Sequence, residues 1–212
     1  MNENFIGDAM GIESNDMTLD VILQSYDFMM IVDIEHTCTL DGSIPPDERE
    51  IIELGAVVID IKSIKIIDEF SALIKPQRHP KISNFCSQLT GITQPELDNS
   101  NNFETVFLNF LNWYPLTSKV LFATWGSYDL VQINIDCEFH NLQHFSPSAV
   151  LNLKKAFKAV NKLKKPVGLS RALELCQCED KGSRHRALDD ARNTVQLLPF
   201  ILSNLNVFID KV

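Results

Sequence analysis

Asp33 and Glu35 end an otherwise apolar run that begins at Phe28. Such a run reads as a strand buried on both faces, and a period of two places both carboxylates on one face. Two carboxylates there repel each other unless a cation lies between them. A hard divalent ion such as Mg²⁺ takes oxygen ligands of this kind. A solvated strand end is the plainer alternative. A second acid, Asp129, closes Trp125-Gly126-Ser127-Tyr128-Asp129, which follows the apolar VLFAT and opens a helical pattern. An acid in a first helical turn is also favoured by the helix dipole alone. Trp125 suits either a core or a stacking surface for a base. The third group is His185-Arg186-Ala187-Leu188-Asp189-Asp190, where a histidine precedes the second aspartate by five positions at the start of the final helical pattern. The histidine is placed to reach into a site. An aspartate in the first helical turn can point at a metal, and one arrangement makes Asp189 the helix-start acid and Asp190 the ligand, with capping plus a surface histidine as the plainer reading.

Each group alone is weak. Together they supply four carboxylates and one histidine, all at strand ends or helix starts. Two-metal phosphodiester hydrolysis asks for that set: carboxylates hold two cations about 4 Å apart, which activate water and steady the leaving oxygen. A histidine takes the proton from the attacking water.

The elements that position these groups follow from periodicity. Phe28–Ile34 is predicted as a buried strand, Ile51–Ile61 as a second, and Lys65–Ile74 as a third, with turn signals at Asp41-Gly42 and Pro45-Pro46. These three are expected to form an antiparallel meander. A short helix is predicted from Ser83 to Leu89, capped by Ser83 and stopped by Gly91, and another from Asn102 to Trp113. Val120–Thr124 and Ala149–Leu153 read as strands, and Tyr128–Phe139, Lys154–Val160, Leu169–Cys176 and Leu188 to about Leu202 as helices. The expected fold is α/β, a mixed sheet of the meander plus parallel strands, flanked by helices. Residues 1–27 form an acidic lead-in expected to be loose or weakly helical, and 28–205 the domain proper.

Net charge is −9, which taken alone argues against a nucleic-acid binder. Its distribution says more: residues 1–60 carry 14 acids and a single base, Arg49, while the remainder carries 18 bases and 14 acids. Leu151–Lys165 holds Lys154, Lys155, Lys158, Lys162, Lys164 and Lys165 and no acid. That segment is either a solvated basic face or a surface that tracks phosphates with salt-dependent binding. The five cysteines form no CxxC pair and read as reduced thiols in a cytoplasmic protein. No apolar run is long enough to cross a bilayer, and the N-terminus has no basic start before an apolar stretch.

The order Asp-x-Glu (Asp33, Glu35), Asp (Asp129) and His-x4-Asp (His185, Asp190) resembles the DEDDh exonucleases of the RNase H-like superfamily. The resemblance is greatest to the group containing the histone-mRNA 3′-end and small-RNA-trimming exonuclease and its bacterial relatives. It extends through Ile51-Ile52-Glu53-Leu54-Gly55-Ala56-Val57, through Ser83-Asn84-Phe85-Cys86 with Leu89-Thr90-Gly91-Ile92-Thr93, and through the two later motifs, from Phe28 to Leu202. It implies that Asp33, Glu35, Asp129 and Asp190 hold two Mg²⁺ ions, with Mn²⁺ as a substitute, and that His185 is the general base. Arg186 occupies the place of the family's tyrosine variant, so the histidine subtype fits. His36 and Thr37 fall where the family contacts the 3′-terminal nucleotide. Leu89, Thr90, Trp125 and Arg184 are further candidates for substrate contact, and Phe85 with the Leu89–Ile92 turn packs either against a base or against the fold. The implied activity is 3′-to-5′ hydrolysis of single-stranded RNA with release of nucleoside 5′-monophosphates. Alternatives are a single-stranded DNA or proofreading-type exonuclease, a scavenger of very short RNAs, and an inactive nucleic-acid-binding module. The last usually lacks a ligand, and none is missing here. The short lead-in leaves no room for a separate RNA-binding domain before the first strand, so stem-loop specificity is not expected.

Overall fold

The structure is a computed structural model, and it describes residue 22, residues 24–113 and residues 119–205, the last three without their side chains. Most of the expected lead-in lies outside the described residues. Within it Ile22 is fully buried against the core.

A five-stranded sheet forms the centre, in the order β3-β2-β1-β4-β5. The strands are β1 (Phe28–His36), β2 (Ile51–Asp60), β3 (Lys65–Leu73), β4 (Val120–Thr124) and β5 (Val150–Asn152). β1 pairs antiparallel with β2, and β2 with β3, giving the expected meander. β4 and β5 run parallel to β1, so all three end at one rim of the sheet. Parallel order at this rim sets the site, because α/β sheets bind ligands beyond the carboxyl ends of their strands.

From residue 84 on, seven α-helices follow among the described residues: α1 (Asn84–Thr90), α2 (Gln94–Asp98), α3 (Phe103–Trp113), α4 (Tyr128–Phe139), α5 (Leu153–Val160), α6 (Leu169–Leu175) and α7 (Ala187–Leu205). The Ser83 side chain caps α1 by accepting from Cys86 N–H, and Gly91 ends it at φ 71, as the sequence predicts. The sequence reading missed α2. Its signal is the capping box from Thr93 to Glu96, with Pro95 in the first turn.

Alternation along β1 sorts the core. Met30, Val32 and Ile34 face a layer containing Phe103, Phe107 and Phe110 of α3 and Ile133 of α4. Met29 and Ile31 face the other layer, with Leu153 and Phe157 of α5 and Ala191, Leu197 and Leu198 of α7. Asp33 and Glu35 continue this second face. β1 is longer than predicted and keeps pairing through them, Asp33 opposite Gly55 and Glu35 opposite Glu53, with a register shift only at Glu35/His36. The carboxylates therefore sit on a fixed ladder rather than on a strand that has already left the sheet.

Candidate active site

The end of β1 brings Asp33 and Glu35 beneath the start of α7, and Gly55 makes that approach feasible. A Cβ at Gly55 would lie 2.2 Å from Leu188 N and 2.3 Å from the Ala187 carbonyl carbon. Helix and strand touch backbone to backbone there. One helical turn is about 5.4 Å, which carries Asp190 over the β1 carboxylates. Ligand atoms of Glu35, His185 and Asp190 all lie within 4.8 Å of one another. His185 Nδ1 is 3.9 Å from Glu35 Oε1, and half of its side chain is exposed. The fourth acid, Asp129, arrives from the first turn of α4.

The electrostatics of the group are dominated by burial. Burial pushes the Glu35 carboxyl up to about 8, helped by the negative charges of Asp190, Glu53 and Asp129, while Arg186 opposes. Burial also raises Asp33 well above the usual carboxylate range, with Asp129, Asp190, Glu35 and Glu53 adding to it. Asp129 is raised to about 6 by burial, against hydrogen bonds from its own N–H and from that of Ile34 and against the charge of Lys154. Asp190 is raised to about 6 by burial, while the His185 N–H, donating to Oδ2 at 3.0 Å, pulls it down. Arg186 and Lys154 offset only part of the repulsion. The set offers carboxylate oxygens short of positive charge, which is what a hard divalent cation relieves.

The loop that carries His185 is built for position. His185 itself sits at φ 59, in the left-handed region that few non-glycine residues adopt. Its own N–H is held by Asp190, and the next residue is anchored elsewhere: Arg186 forks onto buried Glu53, Nη2 to Oε1 at 2.9 Å and Nε to both oxygens at 3.1 Å. Glu53 Oε2 also accepts from Ala187 N–H at 3.0 Å, so this acid of β2 caps α7. Glu53 was not singled out as a functional residue in the sequence reading. Its signal was an acid inside an apolar, β-branched strand.

Asp189 points away from the group. It accepts from Ser183 N–H, pairs with Arg192 at 3.2 Å, and lies where a Cβ on Gly182 would meet its carboxylate at 2.4 Å. The expected substrate contacts divide. Thr37 is buried, and its hydroxyl accepts from Glu50 N–H. Thr90 is buried, bonded to Cys86 carbonyl and Ile92 N–H. Trp125 packs in the core against Phe157 with its indole N–H on Val167 carbonyl. Arg184 pairs with Asp180 at 2.6 Å. His36 is half-buried with its ring 5.2 Å from that of Tyr128, and Leu89 is exposed on α1, so these two remain presented.

Known proteins share this fold. A family model described as an exonuclease, RNase_T, matches residues 30–198. ERI1 exoribonuclease 2 of Mus musculus is 33% identical over 197 residues, covering 82% of this chain and 28% of that protein. Human 3′-5′ exoribonuclease 1 is 30% identical, covering 81% of this chain and 51% of that protein. The chain thus spans about a quarter to a half of the length of these relatives. The nuclease domain of 3′hExo, a DEDDh family member, solved with rAMP, superposes with a TM-score of 0.76 at 30% identity over 84% of this chain and 92% of that one. The fold is that of the RNase H-like DEDDh nucleases, and the chain belongs to the RNase_T exonuclease family. That family uses divalent metal ions. No helix among the described residues is long and apolar enough to cross a membrane.

Proposed function

We propose that this chain is a 3′-to-5′ exoribonuclease whose site is Asp33, Glu35, Asp129, Asp190 and His185. The observation that carries the reading is the convergence of Glu35, His185 and Asp190 ligand atoms within 4.8 Å at the rim where β1, β4 and β5 end. The names of the relatives, exoribonucleases of mouse and human, support the direction and the sugar. Asp33, Glu35, Asp129 and Asp190 are the residues that would hold the cations, two Mg²⁺ or Mn²⁺. Bound divalent ions supply a lowered water pKa and a Lewis acid at the phosphate.

The protein's own contribution is placement and proton transfer. His185 stands at the mouth of the group, half-exposed, where its imidazole accepts the proton of the attacking water. Glu53 and Arg186 fix the loop on which it rides. Apolar packing under β1 holds the Asp33–Glu35 ladder rigid. His36 and Leu89 are the side chains offered to the terminal nucleotide, the ring of His36 being backed by Tyr128. The five cysteines are free thiols, which supports a reducing compartment such as the cytoplasm.

A time course with 5′-labelled single-stranded RNA and matched DNA tests the reading, run with Mg²⁺, with Mn²⁺ and with chelator. The expected result is a metal-dependent ladder shortening from the 3′ end, faster on RNA, with nucleoside 5′-monophosphates as product. Intact binding without cleavage in either metal would defeat it.

A further inference from the structure

From Phe139 to Leu173 the chain contains no Asp or Glu, although the whole protein carries 28. The same stretch holds Lys154, Lys155, Lys158, Lys162, Lys164, Lys165 and Arg171. α5 lies in its middle and buries Leu153 and Phe157 in the layer that also contains Ala191 and Leu198 of α7. Its lysines are on the outside: Lys155, Lys162, Lys164 and Lys165 are exposed, and Lys154 and Lys158 are partly so. Arg171, Arg184, Arg186 and Arg192 each pair with a carboxylate, whereas none of the six lysines enters an ion pair among the described residues. Unneutralised cations crowded on one face repel each other, so the face is primed for a polyanion.

Topology places the start of this strip at the site. β5 runs parallel to β4, which runs parallel to β1, so α5 begins at the rim where Asp33 and Glu35 lie. Lys154 stands in the first turn of α5, at that rim. Lys158 follows one turn later, about 6 Å further along the helix axis, and Lys162, Lys164 and Lys165 extend the strip past its end. The large apolar side chains of the helix, Leu153 and Phe157, face the core and offer nothing to a bilayer.

We propose that α5 and the turn after it form a track for the phosphate backbone of a single-stranded nucleic acid, upstream of the bond held at the carboxylate rim. The track rests on the nuclease reading for its register, but its charge chemistry can be read separately. The strand leaves the site over Lys154 and Lys158 and crosses the Lys162–Lys165 cluster. Short substrates do not reach the far lysines, so the track acts on long ones.

The test is a triple variant, Lys158→Glu with Lys162→Glu and Lys165→Glu, beside its glutamine counterpart. A control pair, Lys62→Glu with Lys65→Glu, changes charge at the opposite rim, where Asp60 of β2 lies beside Phe28 of β1. Anisotropy with a labelled RNA of about 16 nucleotides, in chelator, gives Kd against KCl. Removing three phosphate contacts should lower the log–log salt slope by about 2 and weaken low-salt binding about tenfold or more. The glutamine variant should show the same slope change, and the control pair little change in Kd. In the presence of metal, kcat/KM on the long RNA should fall about tenfold more than on a dinucleotide. An unchanged slope, an equal loss in the control pair, or equal losses on long and short substrates would each overturn the track. So would loss of binding to phosphatidylserine vesicles with RNA binding intact. Failure of the wild-type protein to hydrolyse RNA would overturn the nuclease reading and leave the binding result standing.

Discussion

Glu50 and Glu53 are as buried as any acid in the protein, yet each is surrounded by donors. Glu50 accepts from the N–H groups of Gln77 and His79, and Glu53 from Arg186 and Ala187. Asp136 is answered by Gln132 and by Ile51 N–H, although burial still pushes it up to about 7. At the rim of β1 the pattern inverts. Asp33 and Glu35 lie among the acids Asp129, Asp190 and Glu53, Asp129 and Asp190 accept from backbone N–H groups, and burial pushes every one of the four upward. The first set is finished within the fold. The second is left open to a cation from outside, and that difference, more than burial, separates a structural acid from a candidate ligand.

The largest test of this contrast removes one member of the open set. Asp33→Asn or Asp190→Asn should lower RNA hydrolysis on the order of 10³-fold or more, about 4 kcal/mol of transition-state stabilisation. Neither should weaken the metal-free fold, since each deletes a repulsive charge. Thermal melts in chelator should show an unchanged or raised Tm, and a substantial fall would place these acids with the structural set.

Glu53→Ala should do the reverse. It strands Arg186 and the α7 N-terminus over a buried strand, a loss of about 3–5 kcal/mol in denaturant unfolding. Hydrolysis should fall as well, through displacement of His185. Glu53→Gln, which keeps acceptor and shape, should recover part of both. His185→Ala should lower turnover about 10²- to 10⁴-fold while sparing stability and cation binding by calorimetry, because the ring is half-exposed.

pH gives a gentler test, in which Asp136 of the first set, raised to about 7, acts in the same direction and recovery with Mn²⁺ marks the second set. Glu35 has a folded pKa of about 8 against an ordinary 4.5. Its contribution to stability is therefore fully present below 4.5 and is lost as pH rises through about 8. Asp129 and Asp190 act in the same direction between 3.8 and about 6. In chelator, urea unfolding should thus give a lower midpoint at pH 8 than at pH 5, and Mn²⁺ should restore the midpoint at pH 8. A metal-free midpoint that rises over that range would contradict the open-set description.

Much of this arrangement could be read in the chain before any coordinates. Tyr128–Phe139 and Val120–Thr124 have the bounds their periodicity predicts, because apolar spacing and turn residues agree there. The ligand candidates were legible since acids interrupt apolar runs where strands or helices meet the rim. What escaped depends on partners far apart in sequence. Glu53 gains its role only when β2 brings it under Arg186, 133 positions away. Thr37, Thr90 and Trp125 match motif positions, but local packing turns each inward, which residue type does not reveal.

Asp189 and Asp190 give the smallest and sharpest comparison, since adjacent residues of one helical turn belong to opposite sets. Asp190 faces Glu35 and His185, whereas Asp189 bonds Ser183 N–H and Arg192, which is itself held by Glu69 at 2.6 Å. Both contacts of Asp189 are surface pairs, worth about 0.5–1 kcal/mol each at most. Asp189→Asn should therefore lower stability by about 1 kcal/mol and change kcat by less than about threefold. Beside the loss expected for Asp190→Asn, that gap reads which face of the helix carries the chemistry. Equal losses at both positions would mean that the first turn of α7 is rotated relative to the arrangement described, with Asp189 brought over the β1 carboxylates.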